Sequence, residues 1–141
     1  MPIRKAEAVW EGSLKEGKGK MKFGSGAYEG SYSFSSRFED GVGTNPEELV
    51  GAALAGCFSM ALSSALGRAG FSPTRILTRA EVTLGKVDAK NRITQIYLIN
   101  ESNVPGIQPG QFQEIAEATK SDCPISAALT GVAITLSARL I

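Results

Sequence analysis

The stretch GTNPEELVGAALAGCF, from Gly43 to Phe58, decides the fold because it predicts the start of a long apolar helix. Asn45 is placed to be the N-cap, and Pro46 fits the first helical position. Glu47 and Glu48 suit the positive end of the helix dipole, and Glu48 also holds the capping-box position. Near its other end the stretch carries the thiol of Cys57. It therefore fits two interpretations, a capped core helix or part of an active site.

The helical pattern continues to Arg68, where Gly70 is a plausible stop. Nearly every side of this helix is apolar, so it must be surrounded, and a second subunit is a reasonable source of part of that cover. Serines and glycines interrupt its most apolar part, Leu49 to Leu66. We therefore interpret it as a core helix rather than a membrane span.

Length and charge exclude some broad classes. The 141 residues suit one domain with a real core, and the formal net charge is only +1. That balance gives no reason to expect nucleic acid or an anionic membrane as a partner. The N-terminus MPIRKAEAVW lacks the apolar region of a secretory signal, so we expect a cytoplasmic location.

Alternating segments on both sides of the helix predict strands. Three short ones precede it: AEAVWEGSL, KGKMKF and YEGSYSFSSRF. Two long ones follow it, with AKN as their hairpin turn: RILTRAEVTLGKVD and RITQIYLINESNV.

The last third of the chain predicts two more helices and a strand. QFQEIAEATK has helical spacing, and SDCPISAAL resembles a fresh helix start, with Ser121 or Asp122 as its cap and Pro124 in its first turn. VAITLSARLI predicts a final strand. The sequence thus predicts a single α+β domain over residues 1–141, with antiparallel strands and helices packed on one face.

The residue inventory limits the kinds of active site that the chain can form. There are two cysteines and no histidine, so a cysteine/histidine zinc site within one chain and any histidine-based nucleophilic triad are excluded. Cys57, inside an apolar helix, is on these grounds more often a small buried hydrophobe than a reactive group. Cys123, between an acidic residue and a proline at a predicted helix start, is more suggestive of a thiolate.

The two cysteines together suggest peroxide reduction. A thiolate that attacks a peroxide becomes a sulfenic acid, and a second cysteine can condense with it to form a disulfide. Arg37 is the candidate cation for this chemistry and Glu47 could orient it. Taken alone, an exposed arginine at the end of a strand and a favourable first-turn carboxylate are the ordinary interpretations of these two residues.

Helix geometry raises a difficulty for this scheme. Glu47 and Cys57 lie about 15 Å apart along a straight helix and about 80° out of phase, so they cannot touch. Either Arg37 bridges them, or the helix breaks between Gly51 and Gly56 so that Cys57 opens a new segment. The sequence leaves both alternatives open.

The combined motifs resemble the OsmC/Ohr family of thiol peroxidases, and most closely its osmotically inducible OsmC branch. The resemblance covers most of the chain, through AVWEGSLKEGKGK, SRFEDGVGTNPEELVGAALAGCFSMALS, GFSPTRILTRAEVTLGKVD, ITQIYL, VPGI and SDCPIS. NPEEL followed by the helix cysteine and the later CPIS is its most specific part. The SRFE context favours the OsmC branch over the organic hydroperoxide resistance branch.

This resemblance implies an OsmC-like fold of curved antiparallel sheets on two central helices, in an intertwined homodimer. It implies reduction of organic, fatty-acid-like hydroperoxides, with a lipoyl-type dithiol as reductant and no metal or bound organic cofactor. By position, Cys57 matches the peroxidatic cysteine, Cys123 the resolving cysteine, Arg37 the arginine that holds the thiolate, and Glu47 its carboxylate partner.

Small departures and two rival interpretations accompany the match. Leu54 stands where some relatives have histidine, and Gly56 where alanine is common, which affects pocket shape rather than the proposed chemistry. Candidate pocket-wall residues are Met60, Phe38 and Phe112, although core packing is their ordinary role.

Two other functions compete with the peroxidase interpretation. The first is a dimeric hydrophobic-ligand-binding protein with inert thiols, and the second is a disulfide redox sensor.

Overall fold

The computed structural model describes residues 1–141, which form two compact units. The N-terminal unit is Met1–Leu49 and the C-terminal unit is Val50–Ile141. Both helices and sheets are present, which confirms the predicted α+β class. A single OsmC-like domain over residues 1–141 stays a prediction.

The N-terminal unit contains a three-stranded antiparallel sheet in the order β1-β2-β3. Its strands are β1 (Ala6–Glu11), β2 (Lys18–Phe23) and β3 (Glu29–Tyr32). The third predicted strand was too long, because the chain leaves the sheet at Tyr32 and forms a short helix, α1 (Phe34–Phe38).

A glycine allows two aromatic side chains to meet across this sheet. Gly19 pairs with Trp10 on one side and with Tyr32 on the other, and these two rings lie 5.3 Å apart between centroids. A Cβ atom at Gly19 would lie 2.5 Å from the Tyr32 ring and 2.7 Å from the Trp10 ring. Only glycine fits at this position without displacing the aromatic pair.

The long helix α2 (Pro46–Arg68) begins and ends where the sequence predicts. The Asn45 side chain accepts a hydrogen bond from the Glu48 N–H at 2.8 Å, which confirms the N-cap. The Glu48 carboxylate accepts from the Thr44 hydroxyl at 2.6 Å. Gly70, at φ +92°, closes the C-terminal end, where the Phe71 N–H reaches back to the Leu66 carbonyl.

The two faces of α2 differ in burial. Leu54, Phe58, Leu62 and Leu66 recur every fourth residue and are fully buried. By length and composition alone α2 could cross a membrane, a test that core helices of soluble proteins also pass, and only 28% of its most apolar part is buried within this chain. Met60, 78% exposed, projects from the uncovered side.

The second sheet lies in the C-terminal unit and has the order β4-β5-β6. The long hairpin of β4 (Arg75–Val87) and β5 (Lys90–Asn103) is confirmed. Its turn falls at Asp88 and Ala89, one residue earlier than AKN, and both residues have positive φ, as a two-residue hairpin loop requires.

The last strand, β6 (Ala133–Leu140), pairs with β5 in parallel. The prediction of antiparallel strands is therefore wrong for this pair. Two helices, α3 (Pro109–Asp122) and α4 (Pro124–Ala128), connect β5 to β6 and return the chain to the end of the sheet where β5 began. Such a crossover produces a parallel neighbour.

The core of the C-terminal unit forms between α2, this sheet and α3. The buried face of α2 belongs to the same apolar cluster as Ile96 and Leu98 of β5 and Phe112 and Ala116 of α3. Phe112 is thus a core residue, which was its ordinary interpretation. Cys123 is part of the same cluster, and Cys57 packs against it.

Candidate active site

Cys57 lies within α2, near the middle of the helix. The helix is uninterrupted from Pro46 to Arg68, so the alternative of a break between Gly51 and Gly56 is wrong. Cys57 consequently has no helix N-terminus of α2 beside it. Its side chain is half-buried and is a free thiol.

Cys123 lies at the junction of two helices and caps both of them. It is the C-cap of α3 and the N-cap of α4, in an extended conformation with φ −67° and ψ 142°. The predicted caps, Ser121 and Asp122, are wrong because both residues end α3. Since Pro124 disfavours a helical conformation in the residue before it, the break falls on Cys123 itself.

The sulfur of Cys123 is held by the first turn of α4. Its Sγ accepts a hydrogen bond from the Ser126 N–H at 3.4 Å and lies 3.1 Å from the Ser126 hydroxyl oxygen. Cys123 is fully buried and Ser126 is 7% exposed. Ser126 was not predicted as a site residue; its place three residues after Cys123, the position that faces an N-cap, was the available signal.

The fold brings the two thiols together within the C-terminal unit. Burial raises the pKa of the Cys57 thiol, the backbone N–H of Ile125 lowers it, and the Cys123 side chain raises it. No lysine or arginine is among these causes. Two adjacent free thiols can be joined as a disulfide by a two-electron oxidant.

Within the N-terminal unit, Arg37 and Glu47 form an ion pair. Arg37 donates from Nε at 3.1 Å and from Nη2 at 2.8 Å, and both bonds go to the Glu47 Oε1 atom. Glu47 is only 9% exposed and Arg37 37%. The Glu47 Oε2 atom is buried and has no hydrogen-bond partner. The sequence predicted this pair of residues, and the structure shows their contact.

The position of Arg37 differs from the prediction, because it lies in helix α1 rather than at the end of a strand. Ser33 and Ser36 start that helix with a capping box, in which each side chain accepts a hydrogen bond from the backbone N–H of the other. The motif SFSS was the missed signal. At the third residue after the N-cap, a capping box more often has glutamate than serine.

Buried Ser36 also fixes Arg37 opposite Glu47. Its hydroxyl donates to the Thr44 carbonyl at 2.7 Å, and its carbonyl accepts from the Asn45 side chain at 3.1 Å. These bonds connect α1 to the two residues that precede α2. Arg37, the next residue after Ser36, and Glu47, two residues after Asn45, are thereby brought together as the ion pair.

Aromatic side chains surround Arg37 on its other side. The guanidinium carbon lies 5.3 Å from the centre of the Phe38 ring. A cavity of about 180 Å³ opens here. It is lined by Trp10, Leu14, Tyr32, Ser33, Phe34, Arg37 and Phe38. Phe38 thus lines a cavity, as one interpretation of it predicted, whereas Met60 projects outward from α2.

Comparison with known sequences gives a consistent family. A family model described as "OsmC-like protein" matches residues 38–137. Proteins named Peroxiredoxin OsmC from Escherichia coli K12 and from Shigella flexneri are each 52% identical to this chain over 127 residues, which is 89% of the chain and 89% of each relative.

Solved structures share the fold at low sequence identity. The organic hydroperoxide resistance protein OhrB of Bacillus subtilis matches with a TM-score of 0.76 at 22% identity, covering 96% of this chain and 98% of that one. An OsmC-like protein of unknown function from Vibrio cholerae matches with a TM-score of 0.78 at 17% identity, covering 99% and 100%. These likenesses support the fold alone.

Proposed function

The chain belongs to the OsmC-like protein family, and from this premise we propose that it is a cysteine-based peroxidase that reduces organic hydroperoxides to alcohols. The observation that carries the proposal is the pair of free thiols: Cys57 packs against the apolar cluster that contains Cys123, and Cys123 is among the groups that raise the pKa of Cys57. Such a pair can take two electrons from an oxidant and be restored by a thiol.

In the first step the Cys57 thiolate attacks the nearer oxygen of the hydroperoxide. The O–O bond breaks, Cys57 becomes a sulfenic acid, and the departing alkoxide takes a proton and leaves as an alcohol. The reactive form is the thiolate, which burial disfavours at Cys57. The reaction therefore needs a cation, and we assign this role to Arg37.

Arg37 suits this role because a guanidinium keeps its charge and has several donors in one plane. Its Nε and Nη2 atoms donate to Glu47, which leaves Nη1 available to a thiolate or a peroxide oxygen. Glu47 is the positioning residue. Its buried carboxylate holds the guanidinium in one orientation.

In the second step Cys123 attacks the Cys57 sulfenic acid. A disulfide forms between the two sulfurs, and the hydroxyl of the sulfenic acid leaves as water. An external dithiol then restores both thiols by two successive exchange reactions and is itself oxidised to a disulfide. We propose a lipoyl-type dithiol, since its two linked thiols complete the exchange within one molecule.

The preference for organic hydroperoxides is supported by the surroundings of Arg37. Aromatic rings line the cavity in which its guanidinium lies, and such walls favour an alkyl group over a small polar peroxide.

We also propose a homodimer. The uncovered side of α2 carries Ala52, Ala53, Gly56 and Met60, small or apolar residues that a second copy of the chain can cover. The cytoplasm is the proposed location, because two free thiols persist most readily in a reducing compartment.

One observation favours a second candidate, a hydrophobic-ligand-binding protein with inert thiols. Burial raises the pKa of Cys57, as expected for a thiol that only packs. The adjacency of Cys123 is what favours redox chemistry, since an inert thiol gains nothing from a second thiol beside it.

The test is peroxide consumption at neutral pH with dihydrolipoamide as reductant. The wild-type protein should consume cumene hydroperoxide faster than hydrogen peroxide, and Cys57→Ser should consume neither. Glutathione in place of dihydrolipoamide should support slower turnover. Equal activity of wild type and Cys57→Ser would remove Cys57 from the chemistry, and peroxide consumption by the wild type no faster than in buffer would favour the ligand-binding candidate.

A further inference from the structure

Ser126 contacts the sulfur of Cys123 with two different groups. Its backbone N–H donates to Cys123 Sγ at 3.4 Å, and its hydroxyl oxygen lies 3.1 Å from the same atom. The backbone contact is what a helix cap requires. The hydroxyl contact is additional to the cap and calls for its own explanation.

Burial makes these two groups important for the charge state of Cys123. Cys123 is fully buried and Ser126 is 7% exposed. Water is therefore excluded from the Cys123 sulfur, and a thiolate there must be stabilised by donors from the protein.

A serine hydroxyl can serve both protonation states of the sulfur. A neutral thiol can donate its hydrogen to the serine oxygen, and a thiolate can accept the serine hydrogen after the hydroxyl rotates. The backbone N–H provides a second donor in both states. Alanine at this position would keep the backbone donor and lose the hydroxyl.

We propose that Ser126 is a catalytic residue of the disulfide-forming step, in which its hydroxyl stabilises the Cys123 thiolate that attacks the Cys57 sulfenic acid. The inference rests on the proposed function. Cys123 gives up its proton, and the electron pair of its sulfur forms the S–S bond. The S–O bond of the sulfenic acid breaks, and the released hydroxide takes a proton and leaves as water. The hydroperoxide has already supplied the oxidising equivalents.

The test separates this step from the first one in single-turnover experiments with one equivalent of cumene hydroperoxide. Peroxide loss reports the first step, and acid-quenched mass spectrometry of the Cys57–Cys123 disulfide reports the second. In Ser126→Ala the first rate should equal that of wild type, and the second should fall about tenfold or more, as expected for loss of a hydrogen bond to a charged group.

Two further variants distinguish this role from a structural one. Ser126→Thr, which keeps a hydroxyl, should recover most of the second rate. Ser121→Ala, the same change at an exposed serine of α3, should leave both rates unchanged.

The possible contradictions are also separable. A normal second rate in Ser126→Ala would overturn the inference while leaving the proposed function intact. Equal slowing of both steps in Ser126→Ala would overturn it in favour of a structural role. Failure of the wild-type protein to form the disulfide would overturn the proposed function itself, and this inference with it.

Discussion

The two compact units carry different halves of the proposed chemistry. The N-terminal unit pairs a cation with a buried carboxylate, Arg37 with Glu47, and contains no thiol. The C-terminal unit pairs two thiols, Cys57 with Cys123, and the groups of this unit that shift the pKa of Cys57 include no cationic side chain. A buried thiol without a cation is a poor nucleophile. The proposed mechanism therefore requires both pairs.

The largest expected effect comes from breaking the thiol pair. Cys123→Ser should consume one equivalent of alkyl hydroperoxide at the wild-type rate and then stall as a Cys57 sulfenic acid, because the resolving thiol is absent. Dimedone labelling with mass spectrometry detects that acid, and excess peroxide should convert it to sulfinic acid. If no Cys57 sulfenic acid can be trapped and turnover with dihydrolipoamide stays at the wild-type rate, Cys123 is not the resolving residue.

Removing the cation should have the next largest effect. We expect Arg37→Ala to slow the first step about 100-fold at neutral pH, since stabilising a developing charge by one donor commonly contributes this much. The rate of Arg37→Lys should lie between those of the wild type and Arg37→Ala, because lysine keeps the charge and loses the planar donors. A normal rate in Arg37→Ala would remove this arginine from the mechanism.

The pH profile sharpens the same prediction. Burial raises the pKa of Cys57, so the fraction of thiolate, and with it the first rate, rises with pH until that pKa is passed. Loss of the cation should raise the pKa of Cys57 further. The deficit of Arg37→Ala should therefore be largest at low pH and narrow at high pH. Absorbance of the thiolate at 240 nm measures the shift directly.

Altering the carboxylate should have a smaller effect. Glu47→Gln keeps the shape of the side chain and removes the charge that holds the Arg37 guanidinium. We expect about a tenfold slower first step, as for loss of a charged hydrogen bond. Glu48→Gln is the matched control, since this exposed carboxylate contacts the Thr44 hydroxyl instead, and it should retain the wild-type rate. Equal slowing in both variants would mean that only the helix dipole is involved.

The smallest effect concerns stability rather than rate. Asn45→Ala removes the acceptor for the Glu48 N–H and should lower the free energy of unfolding by about 1 kcal/mol. Urea denaturation at a fixed protein concentration measures it. An unchanged midpoint would show that the cap contributes little.

Local signals in the sequence were sufficient for α2. Asn45, Pro46 and Gly70 each act within a few residues of a helix end, and the observed ends agree with them. The β4–β5 hairpin follows in the same way from alternation and a short turn. The parallel pairing of β6 could not be predicted locally, because it depends on where the α3–α4 connection returns the chain.

In the candidate site, too, features with local signals could be predicted from the sequence and contacts between distant residues could not. Arg37 and Glu47 were proposed as partners from residue chemistry, but the helix that holds Arg37 depends on the serine capping box, which was missed. Cys123 was expected near a helix start, yet its role as the cap follows from Pro124 and could have been predicted. The presence of two cysteines suggested a joint redox role for Cys57 and Cys123, and the family resemblance assigned each its part. Their contact had no local signal, because they lie in distant parts of the chain.

Single-turnover oxidation with thiol mapping tests the central claim most directly. One equivalent of cumene hydroperoxide is added to the reduced protein, free thiols are counted, and the product is mapped by mass spectrometry. The account predicts loss of both thiols as an intrachain Cys57–Cys123 disulfide, formed faster with the alkyl peroxide than with hydrogen peroxide. Two unreacted thiols in folded protein, or a disulfide that joins the Cys57 residues of two chains, would contradict it.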